Sequence, residues 1–350
     1  MEVKALKFGG LTAKRPIVQG GMGVGVSLSS LAGNVAKCGG VGTISGVHPG
    51  YKEADFKENP FRANLRAIGN ELEKAKEIAN GGIIGFNFMT VMNHYEEYVK
   101  EAIAAGADFI VSGAGLPANL AKYAAGTRAA ILPIVSSARA LKLIVKQWQR
   151  ADRLPDAVVV EGPLAGGHLG YPYGHLVDGT FDTLEDSLVD VVDYVQELEE
   201  KNGVKIPVIA GGGVRNHADM ERLMALGASG VQVGTKFVAT EECDAAPAFK
   251  QVYLRSRKED VQLIESPVGL AARAIRNSFL EKVEKQGRIP VQRCYQCMNH
   301  CKQAETKYCI SQALIDAVQG REGLVFCGAN AYEIEKLSTV EKVMQELCGE

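Results

Sequence analysis

The sequence predicts an α/β fold in which eight parallel strands close into a (β/α)8 TIM barrel. Three observations predict this fold. Short apolar runs rich in Val and Ile recur from the N-terminus to about residue 240, longer amphipathic stretches alternate with them, and most of the runs end in Gly or a polar residue. Buried strands that alternate with helices are typical of βαβ units, and eight such units make a closed barrel. An open doubly wound sheet is the alternative.

The order of the elements follows from this alternation. The eight predicted strands are residues 16–22, 41–46, 83–90, 108–113, 130–136, 157–161, 207–212 and 230–237. Helices are predicted between them at residues 28–37, 65–79, 95–105, 138–149, 184–201 and 217–226.

Residues 1–245 are predicted to form the barrel, with two long excursions at 47–64 and 164–183. Both leave the face on which the strands end, where barrel enzymes build their active sites. Long loops without periodicity in a compact enzyme are typically binding loops. From residue 246 the pattern changes, so 246–350 is predicted to be a helical, Cys-rich appendage rather than a second independent core.

Composition excludes several function classes. The 350 residues carry a net charge of −2 with scattered charges, and only 7% of them are aromatic, so no nucleic acid is expected as a partner. No run reaches the roughly 18 apolar residues that a membrane span needs, and the first sixteen residues lack the apolar stretch of a signal peptide. We expect a cytoplasmic protein with no membrane partner.

Two glycine-ended strands predict a phosphate site. The segments PVIAGGGVRN (207–216) and GASGVQVGTKF (227–237) are the predicted seventh and eighth strands with the turns that follow. Without a side chain, the backbone N–H groups of these turns can approach an anion, and the loops after strands seven and eight are the usual phosphate site of a barrel. Thr235 adds a hydroxyl donor. The alternative is that Gly only closes tight turns.

Eight motifs in order resemble one known family. They are PIVQGGM (16–22), GFNFM (85–89), SGAGLP (112–117), PIVSS (133–137), EGPLAGGHLG (161–170), PVIAGGG (207–213), VQVGTKF (231–237) and SPVGLAARAIRN (266–277). The set resembles the FMN-dependent nitronate monooxygenases, formerly called 2-nitropropane dioxygenases, and the similar flavin-dependent enoyl-acyl-carrier-protein reductases. The match covers roughly residues 10–280.

The resemblance implies a barrel that holds FMN without a covalent bond. The residues it places near the isoalloxazine are Gly20, Gly21, Met22 and Asn87. It puts Glu161 on the ribityl or ring side. The residues it places along or around the phosphate are Gly166, Gly167, Gly212, Gly213, Gly234 and Thr235.

His168 is the predicted catalytic residue. It follows a strand-terminal Glu in a Gly-flanked loop, and an imidazole can give or take a proton near neutral pH. In the family that the sequence resembles, the His of AGGH is the active-site His. The alternatives are that His168 only holds its loop by a hydrogen bond, or that His175 replaces it. His48 is a candidate substrate contact.

Four cysteines, Cys294, Cys297, Cys301 and Cys309, have the spacing C-x2-C-x3-C-x7-C. Four soft thiolates within residues 294–309 suit a [4Fe–4S] cluster or, as the alternative, tetrahedral Zn; free or redox-active thiols are the third reading. His300 or Cys327 could replace one ligand.

These observations predict a flavin enzyme that reduces an electron-poor C=C, such as an enoyl thioester. NAD(P)H as a transient donor, or an electron-carrier protein acting through the cluster, would supply electrons. Nitronate oxidation with O2, with His168 as base, is the alternative activity. A flavin- or metal-carrying sensor or interaction protein is the alternative from another class. A homodimer is the default expectation for the assembly.

Overall fold

The computed structural model describes residues 4–299 and 301–350. The strands are β1 (Leu6–Phe8), β2 (Leu11–Ala13), β3 (Ile17–Gln19), β4 (Val41–Ser45), β5 (Ile83–Met89), β6 (Phe109–Gly113), β7 (Ala130–Val135), β8 (Val158–Glu161), β9 (Gly167–Leu169), β10 (Val208–Gly211), β11 (Gly230–Val233), β12 (Val261–Glu265) and β13 (Ala271–Ile275). The helices are α1 (Ser29–Lys37), α2 (Pro60–Ala79), α3 (Tyr95–Ala104), α4 (Leu120–Tyr123), α5 (Ala138–Trp148), α6 (Tyr173–Asp178), α7 (Leu184–Asn202), α8 (His217–Ala225), α9 (Thr235–Val238), α10 (Pro247–Arg255), α11 (Ser278–Gln286), α12 (Ile310–Val318) and α13 (Val340–Cys348).

Eight parallel strands form a closed barrel. Their order around it is β10, β11, β3, β4, β5, β6, β7 and β8. Val231 of β11 pairs with Ile17 of β3, so the last strand of the barrel bonds to the first and no edge is left open. The predicted (β/α)8 barrel is confirmed with all eight predicted strands, and the open doubly wound sheet is excluded.

Apolar side chains fill the barrel, and a hairpin closes its N-terminal end. Val18, Val159 and Ile209 pack in one cluster with Phe8 of the antiparallel hairpin β1–β2. The ring of Phe8 meets that of Phe109 edge to face, with centroids 6.0 Å apart. The sequence pattern does not predict this hairpin, because three-residue strands are too short to show a period. Because the hairpin covers the N-terminal end, the carboxyl end of the barrel is the end at which a binding site can form.

The sequences of the outer helices explain where each helix begins and which face it buries. In α7, Thr183 and Asp186 form a capping box in which each side chain accepts a hydrogen bond from the other residue's backbone N–H. Leu188, Val191 and Val195 are spaced by three and four residues and are buried on one face, against β8 and β10. None of the helices that the structure describes is both long enough and apolar enough to cross a lipid bilayer.

Both excursions contain regular structure. Helix α2 begins at Pro60, five residues before its predicted start, because the Asn59 side chain accepts a hydrogen bond from the Arg62 N–H and caps it. The second excursion contains β9 and α6, and β9 joins β12 and β13 in a three-stranded antiparallel sheet. Strand β13 has the sequence AARAI; its Ala content favours a helix on propensity alone, so the sequence does not predict it.

The C-terminal residues pack onto the barrel. Val340, Met344 and Leu347 of α13 belong to the same buried cluster as Val35 of α1. Gly40 makes this approach close, since a Cβ there would lie 2.7 Å from the Met344 Cε. The chain between α12 and α13 is thereby held over the carboxyl end of the barrel.

Candidate active site

One cavity of about 440 Å³ opens at the carboxyl ends of the barrel strands, a volume within the range of small-molecule and cofactor pockets. All the residues predicted to bind the flavin, together with the predicted catalytic residue, line it: Gly20, Gly21, Met22, Asn87, Glu161, Gly166, Gly167, His168, Gly212, Gly213, Gly234 and Thr235. The structure therefore brings the predicted set together. The contact of each residue with a particular part of FMN stays a prediction.

The turn after β3 is flattened against β5. A Cβ on Gly21 would lie 2.4 Å from the Asn87 Cβ, so only glycine lets the two segments approach this closely. The Met22 N–H donates to the Ser27 hydroxyl at 2.8 Å, which fixes the turn. The result is a smooth backbone surface beside the Asn87 amide.

The turns after β10 and β11 form the other end of the cavity. Gly212 and Gly213 have φ values of +100° and +90°, a conformation that side chains disfavour. The Thr235 hydroxyl accepts a hydrogen bond from the Gly328 N–H at 2.9 Å. Because a hydroxyl can also donate, the Thr235 proton stays available to an anion in the cavity.

Two cations at this end are not predicted from the sequence. Lys236 and Arg215 both line the cavity. The Lys236 ammonium donates to Glu346 Oε1 and to the Arg215 carbonyl, each at 2.7 Å, and Arg215 Nε lies 2.9 Å from Asp219 Oδ2. The partner Glu346 is on α13, far away in the sequence, so no local pattern marks it.

A C-terminal segment, 326–330, also lines the cavity without being predicted. The backbone of Cys327 and Gly328 packs on Gly166, where a Cβ would lie 2.6 Å from the Cys327 carbonyl carbon. The Ala329 N–H donates to the Leu164 carbonyl at 3.1 Å. Cys327 therefore lines the cavity at the carboxyl end of the barrel, and it does not line the cavity of the four clustered cysteines.

Two polar side chains that line the cavity are available to a polar ligand. Burial raises the pKa of Glu161 to about 7, and desolvation is the only cause of the shift. The Oε1 atom of Gln232 is buried without a hydrogen-bond partner among the described residues. Buried polar groups normally have partners, so the Glu161 carboxyl group and the Gln232 Oε1 atom are both suited to a polar ligand.

His168 lies on β9, beside Ala272 of β13. Its Nε2 is 2.8 Å from the Ser266 hydroxyl, and its ring meets that of Phe326 edge to face at 5.0 Å. Burial lowers the pKa of His168 to about 4, so the ring is neutral at pH 7. A hydroxyl can donate or accept, so Ser266 supports either tautomer. Nδ1 makes no hydrogen bond to the described residues.

The other two histidine candidates lie elsewhere. His48 does not line the cavity; it is buried, and its two ring nitrogens are engaged by Ser311 and Asn64. The interpretation of His48 as a substrate contact is therefore replaced by a structural role. His175 is exposed on α6, outside the cavity lining.

The four cysteines line a second, small cavity of about 20 Å³. Cys294 and Cys301 are exposed, whereas Cys297 and Cys309 are partly buried. Among residues 4–299 and 301–350, no three His, Cys, Asp or Glu side chains are arranged to hold a metal ion. His300, the alternative ligand, lies outside the described residues. The metal assignment stays a prediction.

Comparison with known proteins identifies a matching family and similar sequences. The model of the nitronate monooxygenase family matches residues 4–350. A probable nitronate monooxygenase of Staphylococcus saprophyticus is 25% identical over 306 residues, which are 81% of this chain and 82% of that protein. A probable nitronate monooxygenase of Staphylococcus haemolyticus is 35% identical over 136 residues, 39% of this chain and 36% of that protein.

Solved structures share the fold. FabK from Thermotoga maritima has a TM-score of 0.71 and 24% identity, covering 96% of this chain and 92% of that chain. Nitroalkane oxidase from Streptomyces ansochromogenes has a TM-score of 0.65 and 20% identity, covering 96% and 95%. Because the family model spans nearly all of the sequence, the chain belongs to the nitronate monooxygenase family and is a flavin-dependent oxidoreductase.

Proposed function

We propose that the cavity at the carboxyl end of the barrel binds FMN. The glycine-cleared turns after β3, β10 and β11 fit a flat ring system at one end and a terminal phosphate at the other. The unpartnered Oε1 of Gln232 suits a ring N–H. The Thr235 hydroxyl, already accepting from Gly328, is free to donate to a phosphate oxygen.

We propose further that the enzyme reduces an electron-poor C=C, such as that of an enoyl thioester. Bound FMN supplies hydride chemistry that side chains lack. The observation that carries the proposal is that a neutral imidazole and a carboxyl group with a pKa near 7 line the same cavity. Reduction of a C=C needs a proton as well as a hydride, and this chain provides groups that can deliver one.

Glu161 and His168 have different parts in this proposal. Because burial raises the pKa of Glu161 to about 7, this carboxyl group can hold a proton near neutral pH and act as the proton reservoir. His168, held through Nε2 by Ser266, keeps Nδ1 for the substrate or for proton exchange. Because Ser266 supports both tautomers, His168 can pass a proton without leaving its position.

Nitronate oxidation is the second candidate function. The lowered pKa of His168 is compatible with it, since the imidazole is neutral at pH 7 and can accept a proton. The names of the curated Staphylococcus relatives agree with this activity. Nitroalkane oxidase from Streptomyces ansochromogenes shares the fold, as does the enoyl reductase domain of MlnA from Bacillus amyloliquefaciens, at 15% identity and a TM-score of 0.67.

The electron supply is part of the proposal. NAD(P)H acting transiently is one donor; an electron-carrier protein acting through a [4Fe–4S] cluster is the other. The substrate is a small molecule or thioester, and we place the enzyme in the cytoplasm.

Anaerobic single-turnover assays separate the two activities. Protein whose flavin has been reduced with dithionite is mixed with an enoyl thioester, and oxidised protein is mixed with an alkyl nitronate. The reductase proposal predicts rapid return of the visible flavin band with the thioester. It is wrong if only the nitronate changes the flavin spectrum and the product forms in air.

A further inference from the structure

We propose that Cys294, Cys297, Cys301 and Cys309 form a built site for a soft metal centre held by thiolates, either a [4Fe–4S] cluster or a Zn ion. The inference deepens the proposed electron supply, but it rests on its own observations and is tested without an activity assay. The four thiols come from two neighbouring stretches of chain and line one cavity. Four thiolates are the donor set shared by both metal centres.

The first independent observation is an unpartnered hydroxyl group on a residue that lines the cavity. Tyr308 lines the cavity of the four cysteines, and its side chain is only 3% exposed. Its ring is fixed edge to face against Phe279, with centroids 5.1 Å apart. Its hydroxyl is buried without a hydrogen-bond partner among the described residues. A buried unpartnered hydroxyl costs stability, and a metal-bound sulfur atom in the cavity would accept a hydrogen bond from it.

The second observation is a hydrogen-bond chain with a fixed direction. Asn64 Oδ1 accepts from the Gly50 N–H at 3.1 Å, so the Asn64 amide nitrogen faces His48 Nδ1, 3.2 Å away. Nδ1 therefore accepts, and a neutral His48 carries its proton on Nε2. This N–H donates to the Ser311 hydroxyl at 2.8 Å.

The end of this chain is a cysteine. Since the Ser311 oxygen accepts the hydrogen bond from His48 Nε2–H, the Ser311 O–H is available to another acceptor, and the Cys297 thiol is the side chain with which it interacts. The Gln296 N–H donates to the Cys294 sulfur at 3.4 Å. Donors aimed at thiolate sulfur are the usual support of metal-bound cysteines.

Metal binding has a simple proton balance here. Each cysteine that becomes a ligand loses its thiol proton to solvent and forms one metal–sulfur bond. No electron is transferred in this step. In the described structure the thiols surround the cavity but do not converge on one point, so binding draws the exposed Cys294 and Cys301 inward.

The site adjoins the flavin cavity. Cys309 directly precedes α12, and Leu314, which lines the flavin cavity, is five residues later, about 7 Å along the helix axis. On the other side, the Asn93 N–H donates to the Cys297 carbonyl at 3.1 Å, and Asn93 lies just beyond β5, whose Met89 lines the flavin cavity. The two cavities are therefore connected through α12 and through the segment that follows β5.

The test is the metal content of the full chain purified without oxygen. We expect about one [4Fe–4S] cluster, with iron and acid-labile sulfide in equal amounts, or one Zn per chain. Either result supports the site only if Cys297→Ser and Cys309→Ser each abolish it while Cys38→Ser, a cysteine remote from the cavity, does not. Absence of metal, or metal that survives both substitutions, overturns the proposal.

Tyr308→Phe provides a test that keeps the ring packing. With a metal centre in the site, loss of the hydroxyl lowers retention of metal against a chelator by about tenfold or more. Without one, the substitution only stabilises the chain, because it removes an unpartnered buried group, and that result contradicts the proposal. Flavin content measured on the same samples separates failure of this site from failure of the flavin site.

Discussion

Two histidines of this protein have nearly the same surroundings and different connections. His168 and His48 each place Nε2 at 2.8 Å from a serine hydroxyl, and each ring meets a phenylalanine edge to face. Burial lowers the pKa of both to about 4. The difference is at Nδ1, which Asn64 engages in His48 and which has no partner among the described residues in His168. Burial alone therefore does not distinguish the two histidines; His168 lines the cavity at the carboxyl end of the barrel and His48 does not.

The comparison of His168 with His48 predicts that the largest effect of a substitution is on the rate of single turnover. His168→Gln should lower the rate of single turnover from dithionite-reduced protein by about 100- to 10,000-fold, because a positioned acid or base is lost. His48→Gln should leave this rate close to that of the unmodified protein. Stopped-flow absorbance of the flavin measures both. Equal losses in the two variants would show that Nδ1 is not what distinguishes the two histidines.

The pH dependence of stability reports on His48. Its pKa is about 4 in the folded chain and about 6.5 when unfolded, so the unfolded chain binds more protons between these values. The free energy of unfolding therefore falls as the pH falls from 6.5 to 4, with a share from His48 of about 3 kcal/mol. Denaturant unfolding at several pH values should show a flatter profile for His48→Gln. Parallel profiles would contradict the burial argument.

A glycine pair tests which region holds the flavin. In Gly21→Ala the new Cβ would lie 2.4 Å from the Asn87 Cβ, so FMN affinity should fall about tenfold or more as the turn is displaced. Gly69→Ala, in open space on α2, should retain the flavin and gain about 1 kcal/mol in stability. Fluorescence titration with FMN measures the affinity. Unchanged binding in Gly21→Ala would place the ring system elsewhere.

The smallest effect concerns the two serines. Ser266→Ala removes a hydrogen bond worth about 1 kcal/mol, which corresponds to about a fivefold loss in turnover, together with a shift in its pH profile. Ser311→Ala should change neither quantity in the assay with chemically reduced flavin. Equal turnover rates and pH profiles in the two serine variants would show that His168 needs no positioning partner.

The sequence predicts the barrel and most of its rim, because the signals for both lie in residues that are close together along the chain. Strand periodicity and Gly at the strand ends are encoded in neighbouring residues, so the sequence could place Gly21, Gly212 and His168 at the carboxyl end of the barrel, where they line the cavity; their roles stay predictions. Nothing in the sequence near Lys236 or the 326–330 segment shows that they share one cavity, because Glu346 on α13 pairs with Lys236 and Gly328 bonds to Thr235 only in the folded chain. Such residues can be identified only from the tertiary contacts of the folded chain.

The central claim is that the cavity at the carboxyl end of the barrel holds FMN beneath His168. Its most direct test is the flavin stoichiometry of the purified chain, measured by visible absorption and by the fluorescence released on heating. The account predicts about one FMN per chain, reduced in Gly21→Ala and retained in Gly69→Ala. Protein that is colourless, releases no fluorophore and fails to take up added FMN would contradict it.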